Sequence, residues 1–178
     1  VSSLTGGQVS ALTNSQIRTL SVDQLRSVST GAAGSITQSQ LESLGTISLT
    51  VLRTAQIQAL TGSQFSAFSQ AWSALGTSQL AAVAAPNISL LDGVKLRDVI
   101  GNRVVKLVTA QIGAITTDAI VSLEAEPGYL SLFSTGQVAA LTTAQIGAIS
   151  SPQLRKLTPA QFAAIEPEDL SSIRSDAM

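Results

Sequence analysis

The chain has 178 residues, a net charge of −1 and only 12% charged residues, so it lacks the basic excess that nucleic acids and anionic membranes attract. It contains no cysteine and no histidine, which excludes disulfides, thiolate metal sites and the usual nucleophile–base pairs. No apolar run is long enough to cross a membrane. We therefore predict a repetitive scaffold or interaction protein that is not an enzyme and uses no cofactor or metal.

A repeat of eight residues runs through almost the whole chain. It is clearest between Phe133 and Ser172, where five consecutive octads read FSTGQVAA, LTTAQIGA, ISSPQLRK, LTPAQFAA and IEPEDLSS. We number the positions of each octad from 0 to 7. Only residues 68–74, a unit of seven, and residues 123–132, a unit of ten, break the length. A fixed period over this distance is the signature of a repeat architecture.

Positions 0 and 5 carry large apolar side chains in nearly every octad, and we call these two positions the apolar ladder. Position 0 begins with Leu4 and Leu12, position 5 begins with Val9 and Ile17, and Ala33 is a small exception at position 5. Position 5 and the next position 0 are three residues apart, so they share one face of a helical turn. We predict that the apolar ladder forms the core.

Each octad also carries the signals of a helix start. Ser or Thr at position 1 with Gln at position 4, as in Thr13/Gln16 and Thr142/Gln145, is a capping box. Four of the five prolines fall at positions 2 and 3, acidic residues lie mainly at positions 1–4, and basic residues often lie at positions 6–7. This distribution suits the first turn of a helix and its dipole. We predict one short helix per octad, from position 2 to about the next position 0.

Helices this short are stable only when they stack on one another. Two buried apolar side chains contribute about 3–6 kcal/mol, whereas ordering eight residues costs about 12 kcal/mol. We therefore predict an all-α superhelical solenoid of about 21 octapeptide repeats, forming a single elongated domain over residues 1–178. One continuous helix is excluded because its apolar stripe would drift by about 80° per octad. A β-solenoid with corners is the alternative fold.

The two irregular units hold the two aromatic residues with polar tips. Trp72 lies in unit 68–74 and Tyr129 lies in unit 123–132. Each ring either fills the space that an altered unit leaves or serves as a contact residue, as aromatic side chains in loops often do. Glu124 and Glu126 form an acidic pair beside Tyr129, but helix capping explains this pair better than acid–base catalysis does.

Residues 83–106 keep the octad length but lose glutamine at position 4. We interpret them as a divergent middle with a solvated charged face, and the alternative is a contact site. The candidate contact residues there are basic: Lys95, Arg97 and Arg103. Additional apolar residues predict a wider buried face in the same segment, where another chain could meet it: Leu90, Val94, Ile100 and Val105.

The octads of the type LTTAQIGA resemble tandem LTTAQIxAL and STxQLxAL tracts in very long bacterial secreted and surface proteins of the adhesin type. The resemblance is strongest over residues 4–27, 36–67 and 107–172. It implies a structural protein on the bacterial cell exterior, either an adhesin stalk or a filament subunit. The alternative function is a soluble recognition module that binds a peptide or glycan along the solenoid face.

The two ends of the sequence predict self-association. The first octad, LTGGQVSA, has the pattern of an interior unit, and the phrase that opens at Ile173 stops before it is complete. Repeat arrays normally carry polar terminal units, so two uncapped ends of one repeat are complementary to each other. We expect head-to-tail contact with a second copy or with neighbouring repeats of a longer chain.

Overall fold

A computed structural model of the chain describes residues 4–67, 72–97, 101–123 and 128–173. Every regular element within these residues is helical and none is a strand, so the all-α class is confirmed and the β-solenoid alternative is wrong there. The contacts divide the chain into two units, Val1–Asn87 and Ile88–Met178, which we describe separately. The single domain over residues 1–178 stays a prediction.

The first unit is a series of short helices, nearly all of one octad each. Its α-helices are Gly6–Ser10, Asn14–Arg18, Val22–Ser27, Thr30–Ala33, Gln38–Val51, Thr54–Gln58, Gly62–Ala67 and Thr77–Ala82, with Ala85–Ile88 at the boundary and a 3₁₀ turn at Trp72–Ala74. The longer segment Gln38–Val51 is two helices joined at Gly45, whose φ of 69° lies in the left-handed region that favours glycine.

The second unit repeats this organisation. Its α-helices are Gly93–Lys95, Thr109–Gly113, Thr117–Ser122, Thr135–Val138, Thr143–Gly147, Ser151–Leu154, Pro159–Phe162 and Pro167–Leu170, and Gly101–Lys106 and Tyr129–Leu132 are 3₁₀ helices. The predicted helix start at position 2 is confirmed in all these α-helices. Most of them end at position 5 or 6, slightly earlier than predicted, because the chain must turn before the next cap.

The core of each unit is the predicted apolar ladder. Position-5 residues such as Ile57, Leu80 and Ile112 are 0% exposed. Position-0 residues are also buried through most of the described chain. The exceptions at position 0 are half-buried: Leu4, Leu12, Leu20, Leu44 and Leu157. At position 5, Phe162 and Leu170 of the last octads are exposed.

Helices that lie three octads apart in sequence pack against each other. Gly6–Ser10 contacts Thr30–Ala33, and Thr143–Gly147 contacts Pro167–Leu170. One close approach is at Gly93, where an added β-carbon would lie 2.5 Å from Ser122 Cβ and 2.7 Å from the Ala119 carbonyl oxygen. Glycine is therefore required at this position for the backbones to meet.

Candidate functional site

The position-4 glutamines complete the predicted capping boxes. Thr142 Oγ1 accepts a hydrogen bond from the Gln145 backbone N–H at 3.3 Å, and Gln145 Oε1 accepts one from the Thr142 backbone N–H at 2.7 Å. Among the described residues the same reciprocal pair forms at seven other helix starts: Thr5, Thr13, Ser21, Thr37, Thr61, Ser134 and Thr158. The predicted capping box between positions 1 and 4 of the octad is therefore confirmed.

The side-chain nitrogen of the same glutamines has a second, long-range role. Gln145 Nε2 donates to the carbonyl oxygens of Ile112 at 2.9 Å and Ile115 at 2.5 Å. These acceptors belong to the apolar ladder and lie 33 and 30 residues earlier in the chain. Six other glutamines donate to two or three carbonyl oxygens in the same way: Gln40, Gln56, Gln64, Gln79, Gln137 and Gln161.

The sequence distance from Nε2 to the position-0 carbonyl follows a simple rule. It is 28 residues where all the octads between are of normal length, as for Gln40, Gln56, Gln64 and Gln161. It is 27 for Gln79, whose span contains the seven-residue unit, and 30 for Gln137 and Gln145, whose span contains the ten-residue unit. Each irregular unit therefore counts as one octad, and the step equals about three and a half octads.

The interior carboxamides are buried, so both their oxygen and their nitrogen need partners. Gln56 is 0% exposed and Gln145 is 2% exposed. The amide oxygen accepts the cap hydrogen bond, and the two amide protons serve the carbonyl oxygens of the earlier octad. A carboxylate could satisfy the cap but has no proton for those carbonyl oxygens.

The sequence contained a signal for this second role. A capping box accepts Glu or Gln at its fourth position, but most octads of this chain use Gln. The glutamine also keeps its place where position 1 has no hydroxyl: Oε1 accepts the backbone N–H of Arg53, Gly76 and Val108 at 2.9 Å. The preference for an amide over an acid indicates a required donor, which capping alone does not explain.

The glutamines of the first three octads form the cap but make no long-range contact. Gln8, Gln16 and Gln24 are exposed, and their Oε1 atoms accept from Thr5, Thr13 and Ser21 at 2.8–2.9 Å. No carbonyl oxygen in the described part of the chain accepts from their Nε2 atoms. The last octad has Asp169 at position 4 instead, and its Oδ1 accepts from Thr143 Oγ1 at 2.6 Å.

Comparison with known proteins supports the repeat. Residues 126–159 match the family model described as the ALTTAQ repeat. Residues 140–145 of this chain spell those six letters and end in Gln145. No curated protein and no solved structure matches the chain. Over the matched segment the chain is thus similar to a known repeat family, and that segment contains the long-range donors Gln137, Gln145 and Gln153.

Trp72, a predicted contact residue outside the ALTTAQ match, is buried with 3% exposure. Its Nε1 donates to the Phe65 carbonyl oxygen at 3.3 Å, and its ring lies 4.7 Å from the Phe65 ring, centroid to centroid. The indole therefore fills the space beside the shortened unit. This arrangement favours the packing interpretation of Trp72 over the contact interpretation.

Tyr129 lies within the ALTTAQ match and takes over the role of a glutamine. Its Oη lies 3.0 Å from the Leu96 carbonyl oxygen and 3.2 Å from that of Gly101, at sequence distances of 33 and 28 residues. Burial raises the pKa of the phenol well above its ordinary value, and the nearby positive charge of Arg97 lowers it by less. The phenol is therefore a permanent donor to an earlier octad, and this function was not foreseen from the sequence.

The three predicted basic contact residues lie outside the ALTTAQ match. Lys95 is exposed, and its Nζ lies 3.6 Å from the carboxylate of Asp92. Asp92 caps the helix Gly93–Lys95, and its bond from the Lys95 backbone N–H at 2.8 Å lowers the pKa of the carboxyl. Arg97 and Arg103 are half-buried, and the charge of Arg97 acts on Tyr129. The role of these cations as contact residues stays a prediction.

The predicted wider buried face in residues 83–106 does not form within the chain, and its contact with another chain stays a prediction. Leu90, Val94 and Val105 are 44–51% exposed, and Ile100 lies outside the described residues. The three exposed residues occupy positions 7, 3 and 6, and these positions point away from the ladder face of the helix. With Val108, Val121 and Leu132 they give the second unit most of the exposed large apolar side chains in the described chain.

The described residues contain no group of three or more metal-ligating side chains that could hold an ion. No helix among them has the length and apolar character needed to span a bilayer. Glu124 and Glu126, the acidic pair of the ten-residue unit, lie outside the described residues.

Proposed function

We propose that the chain is a structural repeat protein whose octads coil into a helical solenoid with about three and a half octads per turn. The observation that carries this proposal is the 28-residue step of the glutamine contacts, which recurs in both units. A contact of fixed sequence distance links each octad to one in the turn before it and one in the turn after it. Stacking of this kind gives a repeat array that grows by adding units.

The use of the polar groups favours a scaffold over an enzyme or a receptor. Gln145 and six other buried glutamines each donate to two or three carbonyl oxygens of an earlier octad, so the most regular polar feature of the chain serves its own cohesion. Outward-facing positions carry mainly Ser, Thr and Ala, without a recurring aromatic or charged residue. We therefore propose a stalk or filament element, in which the number of octads sets the length.

The location follows from the resemblance of the octads to tracts of bacterial surface proteins. We propose that the chain acts on the bacterial cell exterior, as part of an adhesin stalk or a filament. An antibody against the folded chain should label intact cells of the organism that produces it. Labelling only after the cells are opened would contradict this location.

Recognition of a partner is the second candidate function. It is favoured by the exposed apolar side chains of the second unit, such as Val94 and Val121 at 51% and 49% exposure. A recognition module would lose its ligand when these two valines are changed to serine, whereas a stalk would keep its length.

The solenoid is tested by small-angle X-ray scattering on the chain and on two copies fused in tandem. Both samples use dilute protein, so that only covalently joined octads contribute to the measured particle. We expect the maximum dimension of the fusion to approach twice that of the single chain. A fusion with nearly the dimension of the single chain would contradict an array that grows by octads.

A further inference from the structure

Two arginines of the first unit line one cleft on its surface. The cleft is open to solvent and has a volume of about 540 Å³, which lies within the range of about 300–1,000 Å³ that is typical of small-molecule sites. Arg26 and Arg53 lie 27 residues apart in the sequence, and both side chains are exposed. Most of the remaining lining comes from four residues: Val51, Leu52, Thr54 and Gln79. We call this space the two-arginine cleft.

Contacts with the backbone hold both guanidinium groups in place. Arg26 Nε donates to the Val51 carbonyl oxygen at 2.9 Å, and an Nη atom of Arg53 donates to the Val28 carbonyl oxygen at 3.4 Å. Each contact spans 25 residues of sequence, so each arginine is fixed against a different octad. A guanidinium group has five N–H donors, so both arginines keep N–H groups that a ligand can use. Because the two groups are already positioned, a ligand would bind at a small cost in side-chain ordering.

The positive charge of the two-arginine cleft has no counter-charge in its lining. Arg26 and Arg53 are two of only three basic residues before residue 88. The acidic residues in the same part of the sequence are Asp23 and Glu42, and neither lines the cleft. Neither arginine forms an ion pair with a described residue. Two positive charges therefore border one open space, which favours an anion as the ligand.

The pair of arginines also departs from the pattern of the repeat. Position 1 usually carries the hydroxyl that caps the helix, but Arg53 stands there and its side chain makes no cap hydrogen bond. A position that gives up local stabilisation is typical of a functional site. The same positions of the neighbouring octads, again 27 residues apart, carry no second pair of cations: Ser10 with Thr37, Arg18 with Gly45, and Gly34 with Thr61.

We propose that the two-arginine cleft binds a small organic carboxylate that carries an apolar body. The carboxylate lies between the guanidinium groups of Arg26 and Arg53, because their planar sets of N–H donors match its two oxygens. The apolar body contacts Val51 and Leu52 and is thereby removed from water. Inorganic phosphate would use the guanidinium groups but leave these apolar side chains uncovered. The site goes beyond the proposed scaffold function and does not depend on how the octads coil.

The first test is a titration of the wild-type chain with phenylacetate, followed by proton–nitrogen nuclear magnetic resonance. The backbone N–H of Thr54 and the Nε–H groups of Arg26 and Arg53 report on the cleft. We expect their signals to shift and then saturate. Phenylacetamide has the same body without the charge, and inorganic phosphate has charge without the body, so both should bind at least tenfold more weakly. An affinity equal to that of phenylacetate for either compound would overturn the proposal.

The second test compares two double variants that each remove two positive charges. Arg26→Gln/Arg53→Gln changes the cleft, and the matched control Arg18→Gln/Arg155→Gln changes two exposed arginines outside it. Phenylacetate should bind the first variant at least tenfold more weakly than the wild type and should bind the control equally well.

Circular dichroism establishes that each variant is folded before its binding is measured. If the cleft variant is unfolded, the comparison of phenylacetate with phenylacetamide on the wild-type chain decides the question, because it needs no substitution. The proposal is overturned if phenylacetate produces no saturating shift, or if the folded cleft variant binds it as tightly as the control does. Neither result would affect the tandem-fusion measurement, so failure of this site and failure of the solenoid are distinguishable.

Discussion

Gln145 and Gln16 have the same local surroundings and different long-range surroundings. Each sits at position 4 behind a threonine N-cap, and each accepts that threonine's backbone N–H, at 2.7 Å and 2.8 Å. Gln145 is buried and holds two carbonyl oxygens of an earlier octad, while Gln16 is exposed. The capping box is therefore a local property of the octad, whereas the burial of its glutamine depends on the octads that pack against it.

The largest difference between interior and terminal octads is expected in the apolar ladder. Ile146→Asp should lower the free energy of unfolding by about 4 kcal/mol or more, because it buries an unpaired charge and removes a side chain that is 1% exposed. Leu170→Asp, at the same position of the last helix, should cost less than about 1 kcal/mol. Urea denaturation followed by circular dichroism measures both. Equal costs at the two sites would show that the ladder is misassigned.

The glutamine comparison itself gives the second largest effect. Gln145→Glu keeps the cap but turns a carboxylate toward the carbonyl oxygens of Ile112 and Ile115, which should cost about 3 kcal/mol. Gln16→Glu should change the unfolding free energy by less than about 0.5 kcal/mol, because this side chain is exposed and its amide protons make no contact with described residues that the substitution would remove. The same denaturation experiment compares the two. Similar small costs would mean that the long-range contact contributes little.

The helix positions and the core could be predicted because both depend on short-range patterns. The capping signals at Thr142 and Gln145 fix where a helix begins, and the spacing of Leu141 and Ile146 fixes which face is buried. The sequence distance between contacting octads could not be predicted in this way. A period of eight residues says that neighbours are equivalent, but it does not say which octad the Gln145 amide protons reach.

The variant Tyr129→Phe tests whether the ten-residue unit depends on a hydrogen bond to an earlier octad, as the regular octads do. The variant keeps the ring and removes the hydroxyl that serves the carbonyl oxygens of Leu96 and Gly101. Leaving these acceptors without a donor should cost about 1–2 kcal/mol. Thermal unfolding followed by circular dichroism measures the loss. A variant as stable as the wild type would show that the Tyr129 hydroxyl adds no stability and that only the ring packing matters.

Tyr129 also shows why irregular units are difficult to interpret from sequence. An aromatic residue at a break in the repeat is compatible with packing, with binding and with a buried hydrogen bond. Only the fold brings its hydroxyl to the position-5 carbonyl of Leu96, 33 residues earlier, which is the distance that Gln137 and Gln145 span to their own position-5 acceptors. Trp72 lies in the other irregular unit, and its Nε1 donates to the Phe65 carbonyl oxygen, only seven residues away. The two irregular units therefore use their aromatic residues differently.

The smallest effect is expected at Lys95, which stands at position 4 in place of glutamine. Its exposed ammonium pairs with Asp92 at 3.6 Å, and such surface pairs contribute about 0–1 kcal/mol. Lys95→Ala should therefore change the unfolding free energy by less than about 0.5 kcal/mol. A large decrease in the urea concentration at the midpoint of unfolding would mean that Lys95 contacts an earlier octad, as Gln145 does.

The long-range contact of Gln145 can be observed directly by nuclear magnetic resonance. The side-chain amide protons of Gln145 should show nuclear Overhauser effects to the backbone of Ile115 and Thr116, about 30 residues earlier, as the 2.5 Å bond to the Ile115 carbonyl oxygen requires. The amide protons of Gln16 should show effects only within their own octad when the chain is dilute. Effects confined to its own octad for Gln145 as well would contradict the account that glutamine joins its octad to one about 30 residues earlier in the chain.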